Sequence, residues 1–278
     1  MNQNDQTAAP TAAPTAVPTG DVLTEVGADG IATVTMNRGA LHNAFNEGVI
    51  AALTDAFRSV GSDPRVRVVL LRGVGKSFSA GADLGWMKRL SGYDHAENVA
   101  DAMALATMMR TLDECPKPTV AVVQGAAFGG GVGLVSACDI AIGVETATFG
   151  LTEVRLGIIP AVISPYVVAA IGERACRRYF LTGERFSAAE ALRIGLLHAV
   201  VPADGLEAAV ERTVAELLAS GPAAQAAAKE LIRAVARRPL DEAVMRDTAE
   251  RIARQRAGAE GKEGVGAFLE KRDPAWRS

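Results

Sequence analysis

The chain has 278 residues, 49 % hydrophobic and 22 % charged, enough for one large domain or two small ones with a sizeable core. Its formal net charge of −3 lacks the basic footprint of a nucleic-acid-binding protein. Its three cysteines are an odd number without CxxC spacing, which argues against a disulfide framework or a cysteine zinc site and for a reducing, cytoplasmic setting. No apolar run approaches the ~18 residues of a membrane helix, so no membrane association is expected.

Residues 1–20, MNQNDQTAAPTAAPTAVPTG, repeat Ala, Thr and Pro in a TAAP pattern too poor in large apolar side chains for a core. They are predicted to form a disordered tail. VLTEV and IATVTM, separated by Gly27-Ala28-Asp29-Gly30, predict a β-hairpin. Ile50, Leu53 and Phe57 share one face of a helix over about 46–60. The run at 66–73, VRVVLLRG, is apolar enough to be buried on both faces of a sheet. A helix over 94–112 is stopped by Pro116-Lys117-Pro118. TVAVVQG at 119–125 predicts a second buried strand, followed by a glycine turn, a short helix ending near Cys138, and the strand DIAIG at 139–143. Beyond about Pro160 the strands are expected to stop, with helices at 161–171, 173–182, 188–194, 205–220, 222–236 and 240–255. The class is α/β with a helical C-terminal third.

Familiar phosphate and nucleophile motifs fail on spacing. Gly75-Lys76-Ser77 ends like a P-loop, yet position 70, where the first glycine belongs, is Leu70. Gly129 to Gly133 follow a strand as a dinucleotide-binding turn would, but Leu134 and Ser136 stand where the third glycine should be. No GxSxG elbow is present. Two glycine turns remain, at 79–83 and 128–133. Glycine allows close backbone approach, and amides at a helix start bind negative charge. Two such turns together could aim two N–H donors at one oxygen, an oxyanion hole. On composition alone, plain strand-to-helix turns are the commoner use of such glycines.

FSAGADLGWM (78–87), AVVQGAAFGGGVGLVSACDIAIG (121–143) and FGLTEVRLGIIP (149–160) resemble, in order and spacing, the signature blocks of the enoyl-CoA hydratase/isomerase (crotonase) superfamily. LTGERFSAAEALRIGLLHAVVP (181–202) and EGVGAFLEKRDPAW (263–276) resemble its later segments, so the likeness runs from about Asp21 to the end. The resemblance implies a crotonase-type spiral of ββα units over 21–205, carrying the active site. It implies a helical C-terminal oligomerisation region over 206–278 and a hexamer built as a dimer of trimers. The implied ligand is an acyl-CoA thioester, with no metal and no cofactor beyond the coenzyme A of the substrate itself. The oxyanion-hole amides fall on Ala82 and Gly130. Substrate-binding positions fall on Ala80, Asp83, Leu84, Trp86 and Met87, and on Phe268 and Lys271, which would reach a neighbouring subunit's CoA. Trp86 and Met87 also read as core anchors, and Lys271 as a solvated charge. The implied chemistry passes through an enolate, whose thioester oxygen gains the charge that preorganised N–H donors stabilise.

Well-known hydratases of the superfamily use two glutamates. The second falls on Glu153, while the first falls on Gly133, which has no side chain. Glu153 is therefore expected to carry most of the proton transfer, helped by a pKa raised by enclosure. A helix cap or an ion pair with Arg155 is the structural alternative. Gly133 is expected to leave room for a substrate carboxyl group or a held water. FGGGVGLVSACDIAIG, followed by EVRLGIIPAVISPYV, is similar to bacterial methylglutaconyl-CoA hydratases of leucine breakdown and carboxygeranoyl-CoA hydratases of acyclic terpene breakdown. The expected reaction is addition of water across the α,β double bond of an enoyl-CoA. A Δ3,Δ2-isomerase using one glutamate and a non-catalytic acyl-CoA binder are the alternatives.

Overall fold

The computed structural model describes residues 20–277, so the TAAP-patterned stretch lies, but for Gly20, outside the described residues. Strands β1 (Val22–Val26) and β2 (Ile31–Met36) pair antiparallel around the predicted turn, where Gly30 takes a φ of 80°. Helix α1 (Glu47–Ser62) starts where Asn46 accepts the Val49 N–H, and buries Ile50, Leu53 and Phe57. Strands β3 (Val68–Gly73) and β4 (Ser77–Ser79) follow. After a short helix α2 (Leu84–Leu90) comes the long α3 (His95–Asp113), with a capping box between Asp94 and Glu97. Then come β5 (Thr119–Val123), β6 (Ala126–Phe128), α4 (Gly130–Ala137), β7 (Ile140–Val144) and β8 (Thr148–Gly150). A 3₁₀ turn at Glu153–Leu156 leads to α5 (Ser164–Thr182), β9 (Arg185–Ser187), α6 (Ala188–Arg193) and β10 (Ala199–Val201). The chain ends in helices α7 (Leu206–Leu218), α8 (Pro222–Val235), α9 (Glu242–Ala257) and α10 (Ala259–Glu270).

These strands make two sheets. The larger has the order β1-β2-β3-β5-β7-β10, parallel from β2 onward. Its central strands are nearly all apolar because both faces are covered, as the sequence predicts. The smaller sheet, β4-β6-β8-β9, is parallel across its first three strands and antiparallel at the last. One continuous apolar cluster fills the space between sheets and helices.

Three expectations change. Strands do not stop near Pro160: β9 and β10 lie beyond it, β9 antiparallel to β8 and β10 parallel to β7. Segments of three residues show no period, and pairing partners far along the chain decide their state. The predicted helices at 161–171 and 173–182 form one element, broken where Gly172 takes φ 73° and ψ 161°. Helix α10 is missing from the prediction because Gly261, Gly264 and Gly266 lower its helix propensity. Gly264 is needed there, since a Cβ would stand 2.8 Å from the Trp276 ring. No helix among the described residues is long and apolar enough to cross a membrane. Cys115, Cys138 and Cys176 are free and buried.

Candidate active site

Strands β4, β6 and β8 run parallel and adjacent, so their carboxyl ends open side by side. Ligands of open α/β sheets sit outside such ends. The chain leaves β4 as Ala80-Gly81-Ala82, β6 as Gly129-Gly130, and β8 as Leu151-Thr152-Glu153. Three segments distant in sequence thus meet at one edge.

The first turn is held from below by Asn43, a buried residue that the sequence reading passed over. Its side-chain N–H₂ lies 2.9 Å from the carbonyls of Val74 and Ser77 and 3.2 Å from that of Phe78, and its Oδ1 accepts the Arg38 amide. Ser79 Oγ donates to the Asn43 carbonyl at 2.9 Å. Beyond it, Phe45 and Ala82 form a parallel bridge: Phe45 N–H donates to Gly81 O at 2.7 Å, and Asp83 N–H donates to Phe45 O at 2.8 Å. In such a bridge the middle residue turns its own N–H to the other side. The Ala82 amide therefore points away from Phe45 and has no acceptor among the described residues.

The second turn follows Phe128. Gly129 takes φ 50° and ψ −118°, and its N–H donates to Gly150 O at 2.9 Å. Gly130 then opens α4, so its amide is one of the first-turn donors with no intrahelical acceptor. The helix dipole adds partial positive charge at that point. Sterics fix the glycines here. A Cβ at Gly81 would lie 2.9 Å from the Phe128 carbonyl, one at Gly131 2.8 Å from the Ser79 carbonyl, and one at Gly130 2.6 Å from the Phe45 ring. Side chains at these positions would push the two turns apart.

Glu153 begins the 3₁₀ turn after β8, with its carboxylate against the second turn: a Cβ built on Gly129 would stand 3.1 Å from Glu153 Oε1. Oε2 is buried without a hydrogen-bond partner among the described residues. Burial pushes the carboxyl pKa up, and a hydrogen bond to its own backbone offsets part of that rise. Arg155 forms no ion pair with it among the described residues; that guanidinium turns instead toward the Thr182 carbonyl. The arrangement supplies two unpaired amides at adjacent strand ends and one partly desolvated carboxyl that keeps its proton to higher pH than an ordinary glutamate.

The remaining expected positions divide. Ala80 and Ala82 are exposed, Met87 is half-buried, and Leu84 is 83 % exposed beside the first turn. Asp83 is not free to bind a ligand through its carboxylate. Its Oδ1 caps α2 by accepting from Gly85 and Trp86 amides at 2.8 and 3.2 Å, and its Oδ2 faces Arg38 at 3.3 Å. The Trp86 amide and these other partners hold its pKa down. Trp86 belongs to the core cluster, with its indole N–H donating to Asp101 at 3.0 Å, which fits the anchor role. Gly133 leaves no room for a carboxyl group or a water. A Cβ there would collide with Ile163 Cγ2 and lie 2.9 Å from both Ile163 Cβ and Met109 Cε. Phe268 and Lys271 lie elsewhere, at the end of α10, which packs on α8 and α9. Phe268 is 82 % exposed, and Lys271 caps that helix in the left-handed conformation.

Known proteins of the same shape share this chain's sequence pattern. An enoyl-CoA hydratase from Shewanella pealeana is 44 % identical, with a TM-score of 0.90 covering 92 % of this chain and 96 % of that one. AtuE from Pseudomonas aeruginosa is 36 % identical with a TM-score of 0.88, over 93 % of this chain and 100 % of that one. A crotonyl-CoA hydratase from Syntrophomonas wolfei is 33 % identical over 244 residues, 87 % of this chain and 92 % of that protein. The enoyl-CoA hydratase/isomerase family model matches residues 27–278, a span that takes in both glycine turns, Glu153 and the C-terminal helices. The chain belongs to the enoyl-CoA hydratase/isomerase family.

Proposed function

We propose that this protein is an acyl-CoA hydratase, a lyase that adds water across the α,β double bond of an enoyl-CoA thioester. The observation that carries the reading is the placement of Glu153, partly desolvated and unpaired, against the glycine turn that opens α4. The amides of Ala82 and Gly130 hold the thioester oxygen. As water attacks C3, Glu153 takes one of its protons, the C2–C3 π electrons move onto the thioester oxygen, and the oxygen–C3 bond forms. The same carboxyl then returns the proton to C2 as the enolate collapses, so one water is added and the enzyme is unchanged. The two amides bind the enolate more strongly than the neutral thioester, which lowers the barrier; one such donor contributes roughly 3 kcal/mol. The coenzyme A enters and leaves as part of the substrate.

The substrate we favour is a branched acyl-CoA of the 3-methylglutaconyl type, on the likeness of the segment Ala161 to Tyr166 to hydratases of leucine and terpene breakdown. We place the enzyme in the cytoplasm as a hexamer in which Phe268 and Lys271 of one chain approach the CoA of the next. A Δ3,Δ2-isomerase is the second reading, favoured by the single carboxylate at the site, since moving a proton between carbons needs only one. Ultraviolet absorbance of the conjugated thioester separates them. With crotonyl-CoA, 3-methylglutaconyl-CoA and a 3-enoyl-CoA, the hydratase reading expects absorbance lost from a conjugated substrate and a fall in kcat of at least about 100-fold in Glu153→Gln. Absorbance gained from the 3-enoyl substrate alone establishes the isomerase. No change with any of the three removes the catalytic assignment.

A further inference from the structure

We propose that Ile163, with the buried Met109 packed beside it, determines which acyl groups the site accepts, as an apolar wall near Glu153 that bounds a substituent on the reacting β-carbon. This rests on the hydratase reading above.

The placement follows from helix geometry. The Gly133 amide donates to Gly129 O at 3.1 Å, so Gly133 stands one turn along α4 from Gly129, about 6 Å at 1.5 Å per residue. Side chains on a helix lean toward its N-terminus and cover the preceding turn. Whatever fills the side-chain volume of position 133 therefore borders the Gly129 turn, against which Glu153 Oε1 packs. The occupants are Ile163 Cγ2 and Cβ from the start of α5 and Met109 Cε from α3. These groups are hydrocarbon or thioether methyl and offer no hydrogen bond.

The wall is also firmly held. Ile163 is 3 % exposed and Met109 fully buried. The Ile163 carbonyl accepts the amides of Tyr166 and Val167 at 3.2 and 3.1 Å, and Ser164 Oγ donates to Ala161 O at 2.7 Å. A β-branched side chain adds stiffness at χ1. Such a surface suits an alkyl substituent of about methyl size on the carbon where water adds. On this side of the carbon it offers nothing to a polar substituent, so the carboxymethyl arm of a 3-methylglutaconyl group has to lie on the other side, and a longer alkyl branch meets Ile163 itself. One methylene in an apolar pocket discriminates by about 10–200-fold, which sets the scale of the effect.

The test compares kcat/KM of wild type, Ile163→Val and Ile163→Ala on crotonyl-CoA, 3-methylcrotonyl-CoA and 3-methyl-2-pentenoyl-CoA, with thermal unfolding as a fold control. The wall requires the ratio for the pentenoyl over the crotonyl substrate to rise at least about tenfold in Ile163→Ala, with Ile163→Val between it and wild type. A structural role alone would lower all three substrates together and leave the ratio unchanged, which overturns the proposal. If Ile163→Ala loses its cooperative unfolding transition, Ile163→Val and Met109→Leu decide by the same ratio. A wild type inactive on every substrate sinks the hydratase reading; an active wild type with a constant ratio sinks only the wall.

Discussion

Glu153 ties stability to chemistry. Burial raises its carboxyl pKa above the ordinary 4.5. With the folded value above the unfolded one, the folded chain binds the extra proton between the two. The contribution to stability is then full below the unfolded value and is lost as pH rises through the folded one. Glu153→Gln, which carries no charge at any pH, is therefore expected to melt above wild type at about pH 8, with the gap closing toward about pH 4. Thermal scans across that range check it, and a gap that stays constant would show that the carboxyl titrates as an exposed one. At this scale the sequence made Glu153 legible through its neighbours in FGLTEVRLG. It could not show that Oε2 lacks a partner among the described residues, because the Gly129 turn against which the carboxyl packs lies far from it along the chain. Gly133 teaches the same lesson in reverse. Its missing side chain reads as a vacancy along the chain, whereas in space Ile163 and Met109 have already taken the volume.

Among the elements, the long helices announced themselves. Asn46 and Asp94 cap α1 and α3 where the pattern starts, and Asp63 and Glu114 follow their last turns. The short strands β4, β6 and β8 did not, although they carry the site. Their alignment depends on side chains that stitch the connecting segments. Gln124 reaches the carbonyls of Gly73 and Ser77 at 2.7 and 2.9 Å, and Asn43 also reaches that of Ser77. Asn43 itself takes φ 53°, a conformation that asparagine tolerates better than most residues. Removing its amide leaves buried carbonyls unmatched, at about 1–3 kcal/mol. Asn43→Ala is accordingly expected to lower the urea midpoint and to reduce kcat more than it raises KM, because the Ala82 amide loses its fixed direction. Urea unfolding and steady-state kinetics on the same preparation check both; an unchanged kcat would mean that β4 holds its position without Asn43.

Across the whole molecule, the C-terminal helices leave a set of large apolar side chains uncovered. Met245 and Ile252 on α9 are 62 % and 48 % exposed, and Val265, Phe268 and Leu269 on α10 are 59 %, 82 % and 73 % exposed. Exposed apolar groups gathered on neighbouring helices mark association surfaces, in keeping with the hexamer proposed above. Light scattering is then expected to give six times the 28.9 kDa of one chain, and Phe268→Asp combined with Leu269→Asp a smaller mass. A monomer at micromolar concentration would leave Phe268 and Lys271 without a neighbouring CoA to reach.

What the sequence by itself determined is whatever depends on local pattern and composition: the hairpin, the buried parallel strands, the capped helices and the two glycine turns. The tertiary structure alone decided that the Ala82 amide stays unpaired, since that depends on Phe45, far earlier in the chain, bridging to Ala82. It also decided that Asp83 and Trp86 serve as cap and anchor, and that the corner beside Gly133 is filled with hydrocarbon. The physical reason is common to all of these: hydrogen bonds and excluded volume act between neighbours in space, and at this site the neighbours come from β4, α3, α4 and the segment after β8.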